Sequence, residues 1–141
     1  MKTFVVDAST SLKWVFDDEI DTDSAKNILK DYLANRIQLI APDLWIYEIA
    51  NAIRSALLRT RITLSQSQNL LELLLKAKPQ LITIEPLISE SLHNSNLYGI
   101  SLYDSAYLTL ARESHLSMIS ADQKISSHPK LKQWIVPLQN Y

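Results

Sequence analysis

Short runs of β-branched and other apolar residues alternate along the chain with longer segments whose apolar positions recur every three or four residues. Continuous apolar runs of this length are typical of strands buried on both faces, and the three-to-four-residue recurrence is typical of amphipathic helices. The pattern predicts five strands, at residues 3–6, 38–41, 81–84, 117–120 and 134–138. Because helices separate these strands, we expect an α/β protein in which helices cover both faces of a parallel sheet.

The predicted helices carry recognisable end signals. Thr63 to Gln66 match a capping box, which starts a helix that should run to about Lys78. The leucines of this helix spread beyond one stripe, which predicts burial on two sides. Asp23 or Ser24 can cap an earlier helix. Further helices are expected at residues 9–16, 43–60, 86–99 and 103–115, and Gly99 is a suitable residue for a helix end.

The composition restricts the class of protein. A chain of 141 residues fits one domain, so we expect residues 1–141 to form a single unit. The absence of cysteine excludes disulfides and thiolate metal sites. A single glycine excludes the glycine-rich phosphate loops of dinucleotide-binding and P-loop proteins. No apolar segment is long enough for a signal peptide or a membrane span, so we expect a cytoplasmic protein without membrane contact.

Four acidic residues fall where a parallel sheet places its ligand site. Ligands of open parallel sheets bind beyond the carboxyl ends of the strands, where the strand order reverses. Asp7 ends the first predicted strand, and Asp122 follows the fourth. Glu48 lies two turns into the helix after the second strand, and Asp104 lies near the start of the helix before the fourth. If the first and fourth strands are neighbours, all four carboxylates can face one crevice.

Each of these acids alone has an ordinary explanation, because Asp commonly caps helices and Glu commonly lies on an exposed helix face. Their joint placement favours a metal site, because carboxylates that share a crevice repel one another unless a cation is present. Oxygen-only ligands select hard cations such as Mg²⁺ or Mn²⁺, which can activate water for attack on a phosphodiester. A cation would also compensate for a net charge of −1, since proteins that bind RNA phosphates usually carry a basic surplus.

The segments that contain these acids resemble the PIN-domain family, and most closely the VapC-type toxins of bacterial and archaeal toxin–antitoxin pairs. The order and spacing of the motifs match from Val5 to about Ile125, so the resemblance covers nearly the whole chain. The matching segments are Val5-Val6-Asp7-Ala8-Ser9, Pro42-Asp43-Leu44 through Glu48-Ile49-Ala50-Asn51-Ala52, Leu102-Tyr103-Asp104-Ser105-Ala106-Tyr107 and Ser120-Ala121-Asp122-Gln123-Lys124.

The resemblance implies a three-layer α/β/α fold with a parallel sheet of about five strands, and an endonuclease that hydrolyses RNA with Mg²⁺ or Mn²⁺ held by the four acids. Ser9 matches a hydroxyl often found beside the site, and Asn51 matches a frequent polar neighbour of the helix acid. Ser120 stands where many relatives have threonine and keeps the hydroxyl. The resemblance also implies a homodimer and a protein antitoxin that covers the crevice.

Three alternatives remain open on the sequence. A PIN-like fold can serve as a module that binds RNA or protein without catalysis. A metal-dependent phosphatase with Asp7 as nucleophile usually needs a second aspartate two residues on, where this chain has Ser9. A receiver domain needs a phospho-accepting aspartate after its third strand, where this chain has Glu85 and Pro86.

The histidines and tryptophans are not assigned to the site. His93, His115 and His128 share no helical ligand spacing, so we expect no metal role for them. The three tryptophans are expected in the core or in an interface rather than as base-stacking platforms.

Overall fold

A five-stranded parallel sheet forms the centre of the protein, whose computed structural model describes residues 1–18 and 20–141. The order of the strands across the sheet is β3-β2-β1-β4-β5, and all four neighbouring pairs are parallel. The predicted parallel sheet of five strands is therefore confirmed. The strands are β1 (Lys2–Val6), β2 (Ile37–Pro42), β3 (Gln80–Ile82), β4 (Ser117–Ser120) and β5 (Ile135–Pro137).

Helices connect the strands and cover the sheet. Crossovers between parallel strands are right-handed, so helices on the path from β1 outward to β3 lie on one face and those on the return to β4 and β5 lie on the other. This is the expected three-layer α/β/α arrangement. The helices are α1 (Ala8–Leu12), α2 (Thr22–Leu33), α3 (Trp45–Leu58), α4 (Leu64–Lys76), α5 (Ile88–Tyr98), α6 (Leu102–Glu113) and α7 (Gln123–Ser126).

The apolar runs that predicted the strands are buried as expected. Val5 and Val6 of β1 and Ile119 of β4 are fully inaccessible to solvent. Burial of this kind stabilises the sheet by roughly 25 cal/mol for each Å² of apolar surface removed from water. In α3 the residues one turn apart, Trp45, Ile49 and Ile53, face the same core.

The strand order reverses between β1 and β4. The chain moves from β1 to β2 and β3 on one side, and returns to place β4 on the other side of β1. Val5 is aligned with Met118 and Val6 with Ile119, so the two strands end at the same level. Residues that follow these two strands are therefore brought next to one another at the carboxyl edge of the sheet.

Two helix end signals are confirmed. Thr63 and Gln66 form a complete capping box, with each side chain accepting a hydrogen bond from the other residue's backbone N–H. Gly99 ends α5 with a φ of 64°, a left-handed conformation that glycine adopts without the steric cost of a Cβ.

Three predictions about the helices were wrong. The helix expected at residues 9–16 ends at Leu12 and is followed by turns. Helix α2 starts at Thr22 rather than after Asp23 or Ser24, and Asp21 precedes it in a left-handed conformation without a side-chain cap. The leucines of α4 are not buried on two sides, because this helix packs by one stripe and leaves Leu64 and Leu73 more than half exposed. Within the described ranges, no helix combines the length and the apolar character needed to cross a membrane.

Candidate functional site

A cavity of about 330 Å³ opens at the carboxyl edge of β1 and β4. All four predicted acids line this cavity, although they come from four separate segments of the chain. We call it the acid cavity, and it is lined by Asp7, Ala8, Ser9, Leu12, Glu48, Asn51, Ala52, Asp104, Tyr107 and Asp122.

Each of the four acids lies at the N-terminus of a helix. Asp7 and Asp122 are the N-cap residues of α1 and α7, and their side chains accept backbone N–H groups of these helices. Glu48 and Asp104 lie in the first turns of α3 and α6. Glu48 is thus closer to its helix start than expected, because α3 begins at Trp45. The partial positive charge at a helix N-terminus favours carboxylates there, which offsets part of their mutual repulsion.

Asp7 is held by hydrogen bonds to both of its carboxylate oxygens. Oδ1 accepts from the Ser9 hydroxyl at 2.8 Å and from the Thr10 backbone N–H at 2.9 Å. Oδ2 accepts from the Ser120 hydroxyl at 2.5 Å. The Ser120 oxygen in turn accepts from the backbone N–H of Asp122 at 3.0 Å. Two of the three predicted supporting residues, Ser9 and Ser120, therefore fix the orientation of this carboxylate.

The backbone of Asp7 is connected to the core by a second pair of hydrogen bonds. The indole N–H of Trp45 donates to the Ser11 hydroxyl oxygen at 3.0 Å, and this hydroxyl donates to the carbonyl oxygen of Asp7 at 3.2 Å. Trp45 is fully buried. The end of β1 is thereby tied to the start of α3, the helix that carries Glu48.

Tyr107 is a site residue that was not predicted from the sequence. Its ring is buried, and its hydroxyl donates to Glu48 Oε1 at 2.6 Å. The sequence could have indicated this role, because Tyr107 lies three residues after Asp104 and residues three apart on a helix share a face. The third predicted supporting residue, Asn51, lines the acid cavity one turn after Glu48.

The electrostatics of the acid cavity favour protonation of its carboxyl groups. Burial raises the pKa of Asp7, although the hydrogen bonds from Ser120, Thr10 and Ser9 oppose the shift. Burial also raises the pKa of Glu48, to which the charges of Asp7 and Asp104 add. The pKa of Asp104 is raised first by burial and then by the charges of Asp122 and Asp7. These carboxylates therefore interact with one another unfavourably when all are ionised.

The donor atoms of the acid cavity suit a hard divalent cation. They are carboxylate, hydroxyl and amide oxygens, the ligands preferred by Mg²⁺ and Mn²⁺. In the described ranges, however, no three acidic or histidine side chains are arranged so that they could hold a metal ion as they stand. The residues thus fit the cation in chemistry and in general placement, and side chains would have to rotate to bind one ion together.

The histidines and tryptophans lie away from this chemistry. None of His93, His115 and His128 lines the acid cavity. Trp14 and Trp45 are buried and Trp134 is half-buried, as expected for core residues. A larger cavity of about 480 Å³ lies elsewhere, between Phe16 and Leu70. Its acids, Asp17 and Asp18, form ion pairs with Lys26 and Arg61, so we do not consider it a cation site.

The raised pKa of Asp7 leads to a prediction about the pH dependence of stability. Because the folded protein binds this proton more tightly than the unfolded chain does, the contribution of Asp7 to stability decreases as pH rises through its folded pKa. Asp7→Asn removes the charge at nearly constant size. We expect the melting temperature of the metal-free variant, minus that of the wild type, to increase from about pH 4 to about pH 8.

The difference in melting temperature between Asp7→Asn and the wild type can be measured by thermal unfolding in chelator at several pH values. Asp23→Asn makes the same chemical change on the exposed surface of α2 and is measured alongside as the control. A difference for Asp7→Asn that stays constant or decreases with pH would contradict the unfavourable ionisation of Asp7.

Comparison with known proteins gives one family. The sequence model of the PIN-domain family matches residues 4–131 of this chain. No curated protein matches the sequence. Among solved structures, PAE2754 from Pyrobaculum aerophilum is similar with a TM-score of 0.72 and 19% identity, covering 98% of this chain and 92% of that one.

Two solved complexes also share the fold. A toxin–antitoxin complex from Klebsiella pneumoniae contains a chain with a TM-score of 0.65 and 18% identity, and the alignment covers 96% of this chain and 97% of that one. VapBC2 from Rickettsia felis, bound to a DNA fragment from its promoter, gives a TM-score of 0.65 at 14% identity, with 96% and 98% covered. At these identities the similarity establishes the fold alone.

Proposed function

The chain belongs to the PIN-domain family, and from this premise we propose that it is a metal-dependent endoribonuclease that hydrolyses RNA phosphodiester bonds at the acid cavity. The observation that supports the proposal is the convergence of four acids from four distant segments on one cavity. No lysine or arginine is among the described residues that line it. A phosphodiester can approach four carboxylates only if a cation offsets their charge.

We assign the binding of Mg²⁺ or Mn²⁺ to Asp7, Glu48, Asp104 and Asp122. When bound, such a cation supplies an activated water and stabilises the charge that develops on the phosphate. The neighbouring side chains orient the ligands. The hydroxyls of Ser9 and Ser120 hold the carboxylate of Asp7 in one position. Tyr107 holds Glu48, and its raised pKa, caused mainly by burial, keeps its hydroxyl protonated as a donor.

We further propose that the protein is a VapC-type toxin whose partner is a protein antitoxin. The solved toxin–antitoxin complexes with the same fold support this assignment. We also propose that residues 1–141 form one domain that acts in the cytoplasm as a homodimer. The exposed leucines of α4 and α5, including Leu73, Leu92 and Leu97, support the homodimer, because burying them against a second copy would remove apolar surface from water.

A module that binds RNA or protein without catalysis is the second candidate. It is favoured by the separation of the acidic side chains, because the described residues hold no three that are ready to bind a cation. The two candidates differ in their response to metal: an enzyme requires the cation, whereas a binding module does not.

A metal-dependence experiment tests the proposal. We expect the purified protein to cut single-stranded RNA in Mn²⁺ or Mg²⁺, to stop when a chelator is added, and to resume when the metal is restored in excess. Binding to the folded state should also raise the melting temperature, since a ligand at 100 times its Kd stabilises by about 2.7 kcal/mol. Identical melting in metal and chelator, together with intact RNA across a broad panel, would contradict the proposal and favour the binding module.

A further inference from the structure

A second cavity of about 310 Å³ lies beside the acid cavity. It is lined by Tyr47, Glu48, Asn51 and Tyr103. Glu48 and Asn51 also line the acid cavity, so the two cavities share a wall. A molecule bound at the acids can therefore extend directly into the space between the two tyrosines.

Tyr47 and Tyr103 differ from the other aromatic residues in their exposure to solvent. All aromatic residues lie in the described part of the chain. Tyr47 is 81% exposed and Tyr103 is 63% exposed, whereas the other aromatic side chains are buried or half-buried. Isolated exposed apolar residues are normal on protein surfaces. Tyr47 and Tyr103, however, come from different helices and line the same cavity beside a cluster of acids. Their joint exposure therefore needs a specific explanation.

The same local arrangement occurs twice. Tyr47 directly precedes Glu48 in α3, and Tyr103 directly precedes Asp104 in α6. Successive residues on an α-helix are rotated by about 100°. Each helix therefore turns its acid towards the acid cavity and its tyrosine towards the rim, and the rings accompany the acids on two sides.

We propose that Tyr47 and Tyr103 form a base-stacking subsite that holds one unpaired nucleobase of the RNA beside the phosphodiester that is cut. The inference rests on the proposed function, because it assigns the substrate contact of that same site. The cavity has room for a planar ring, since its volume is that of about ten water molecules at about 30 Å³ each. Asn51 in the shared wall adds an amide that can donate to and accept from a base edge.

The subsite has a consequence for the choice of substrate. A base stacked on protein rings must first leave the stack of an RNA helix, so the subsite selects loops, bulges and single strands. Stacking on an aromatic side chain accepts every base, because each has a π-face. The two tyrosines would therefore increase affinity for single-stranded RNA, and the sequence preference would come from polar contacts such as those of Asn51.

A binding experiment tests the subsite without relying on cleavage. A single-stranded oligoribonucleotide carries the fluorescent base 2-aminopurine at one position, which is moved along the strand in a series, and cutting is prevented by the Asp7→Asn background. We expect one position to lose fluorescence when the protein binds, because stacking quenches this base. Tyr47→Ala and Tyr103→Ala should each restore the fluorescence and weaken binding about tenfold, whereas Tyr→Phe variants should behave as the parent.

Leu58→Ala is the matched control. Leu58 is 66% exposed and lies eleven residues after Tyr47 on α3, so it shares the face of Tyr47 but is about 16 Å further along the helix. Its replacement should leave binding and fluorescence unchanged. Circular dichroism of each variant should match the parent, because all three replaced side chains are exposed.

Replacing the quenched base by an abasic site gives the second test. In the otherwise wild-type protein, Tyr47→Ala should raise KM about tenfold on the intact strand and have little effect on the abasic strand. Equal losses on both strands, or alanine variants that bind and quench like the parent, would overturn the subsite. Binding with quenching but without cleavage by the wild type would refute the nuclease and leave the subsite standing. A wild type that neither binds nor cuts RNA would refute both.

Discussion

The Asp7→Asn variant is expected to lose RNA cleavage by at least about a hundredfold, the scale on which enzymes lose rate when one preorganised electrostatic group at the reacting centre is removed. Asparagine has the shape of aspartate and can still accept from Ser9 and Thr10 through its amide oxygen. Its amide nitrogen takes the place of Oδ2 and can donate to the Ser120 hydroxyl oxygen, so the direction of this hydrogen bond is reversed. The substitution therefore removes one negative charge from the acid cavity at nearly constant shape. Cleavage of one oligoribonucleotide in Mn²⁺, under conditions of substrate excess, measures the loss.

The control for this experiment is the same chemical change at another position. Asp23→Asn removes a charge from the exposed surface of α2 and should cleave at the wild-type rate. The comparison also excludes a contaminating nuclease, because both variants are purified in the same way. Folded Asp7→Asn protein that cleaves within threefold of the wild type would refute the role assigned to this carboxylate.

The largest effect on stability is expected for Trp45→Ala. This side chain is fully buried in the core, where its indole N–H donates to Ser11 of α1. Removing a large buried aromatic side chain typically lowers the free energy of unfolding by about 3–5 kcal/mol, because packing is lost and a cavity remains. The variant also leaves the Ser11 hydroxyl without the donor that it accepts from. Urea unfolding, followed by circular dichroism, measures the change.

Two further variants separate the contribution of packing from that of the indole hydrogen bond. Trp45→Phe keeps most of the buried volume and removes the indole donor, so its additional cost beyond packing should be about 1 kcal/mol. Tyr47→Ala is the matched surface control on the same helix, and it should change the free energy of unfolding by less than about 0.5 kcal/mol. If Trp45→Ala were no more destabilised than Tyr47→Ala, Trp45 could not have the structural role described above.

The hydrophobic pattern was sufficient to predict the number of strands, their approximate positions along the chain and their parallel arrangement. Runs such as that of β1 are too short for a helix and too apolar for a surface loop, so the choice of strand followed from physics alone. The ends of the helices and strands were predicted less accurately, because the hydrophobic pattern does not specify the backbone conformation at these ends. The start of α2 shows this: Asp23 looked like a cap, but the helix begins one residue before it, after a left-handed Asp21.

Asp7 and Asp122 could be identified because strand ends are visible in the sequence, and Glu48 and Asp104 because of their positions on the predicted helices and in the family motifs. The hydrogen bonds around these acids could not be predicted in the same way. The hydrogen bond from Ser9 to Asp7 is local, whereas that from Ser120 depends on β1 lying beside β4, a pairing that no local pattern specifies. Tyr107 was not predicted as a site residue, because only the hydrogen bond of its hydroxyl, which the structure shows, relates it to Glu48. Tyr47 lies outside the apolar stripe of α3. Side chains at such positions are usually exposed, so its position in the sequence did not indicate a function.

The central position of β1 has a consequence for the order in which the acid cavity is completed during synthesis. Asp7 is synthesised before the Ser120 hydroxyl that orients it, which follows 113 residues later. At roughly 5–20 residues per second, a ribosome needs about 6–23 seconds to cover that distance. Throughout this interval the nascent chain lacks β4, so the fourth acid and the neighbour of the central strand are both missing. A partly translated chain therefore carries the first acids of the site without a complete acid cavity, and a message cut short before the codons for β4 yields a chain that lacks Ser120 and Asp122.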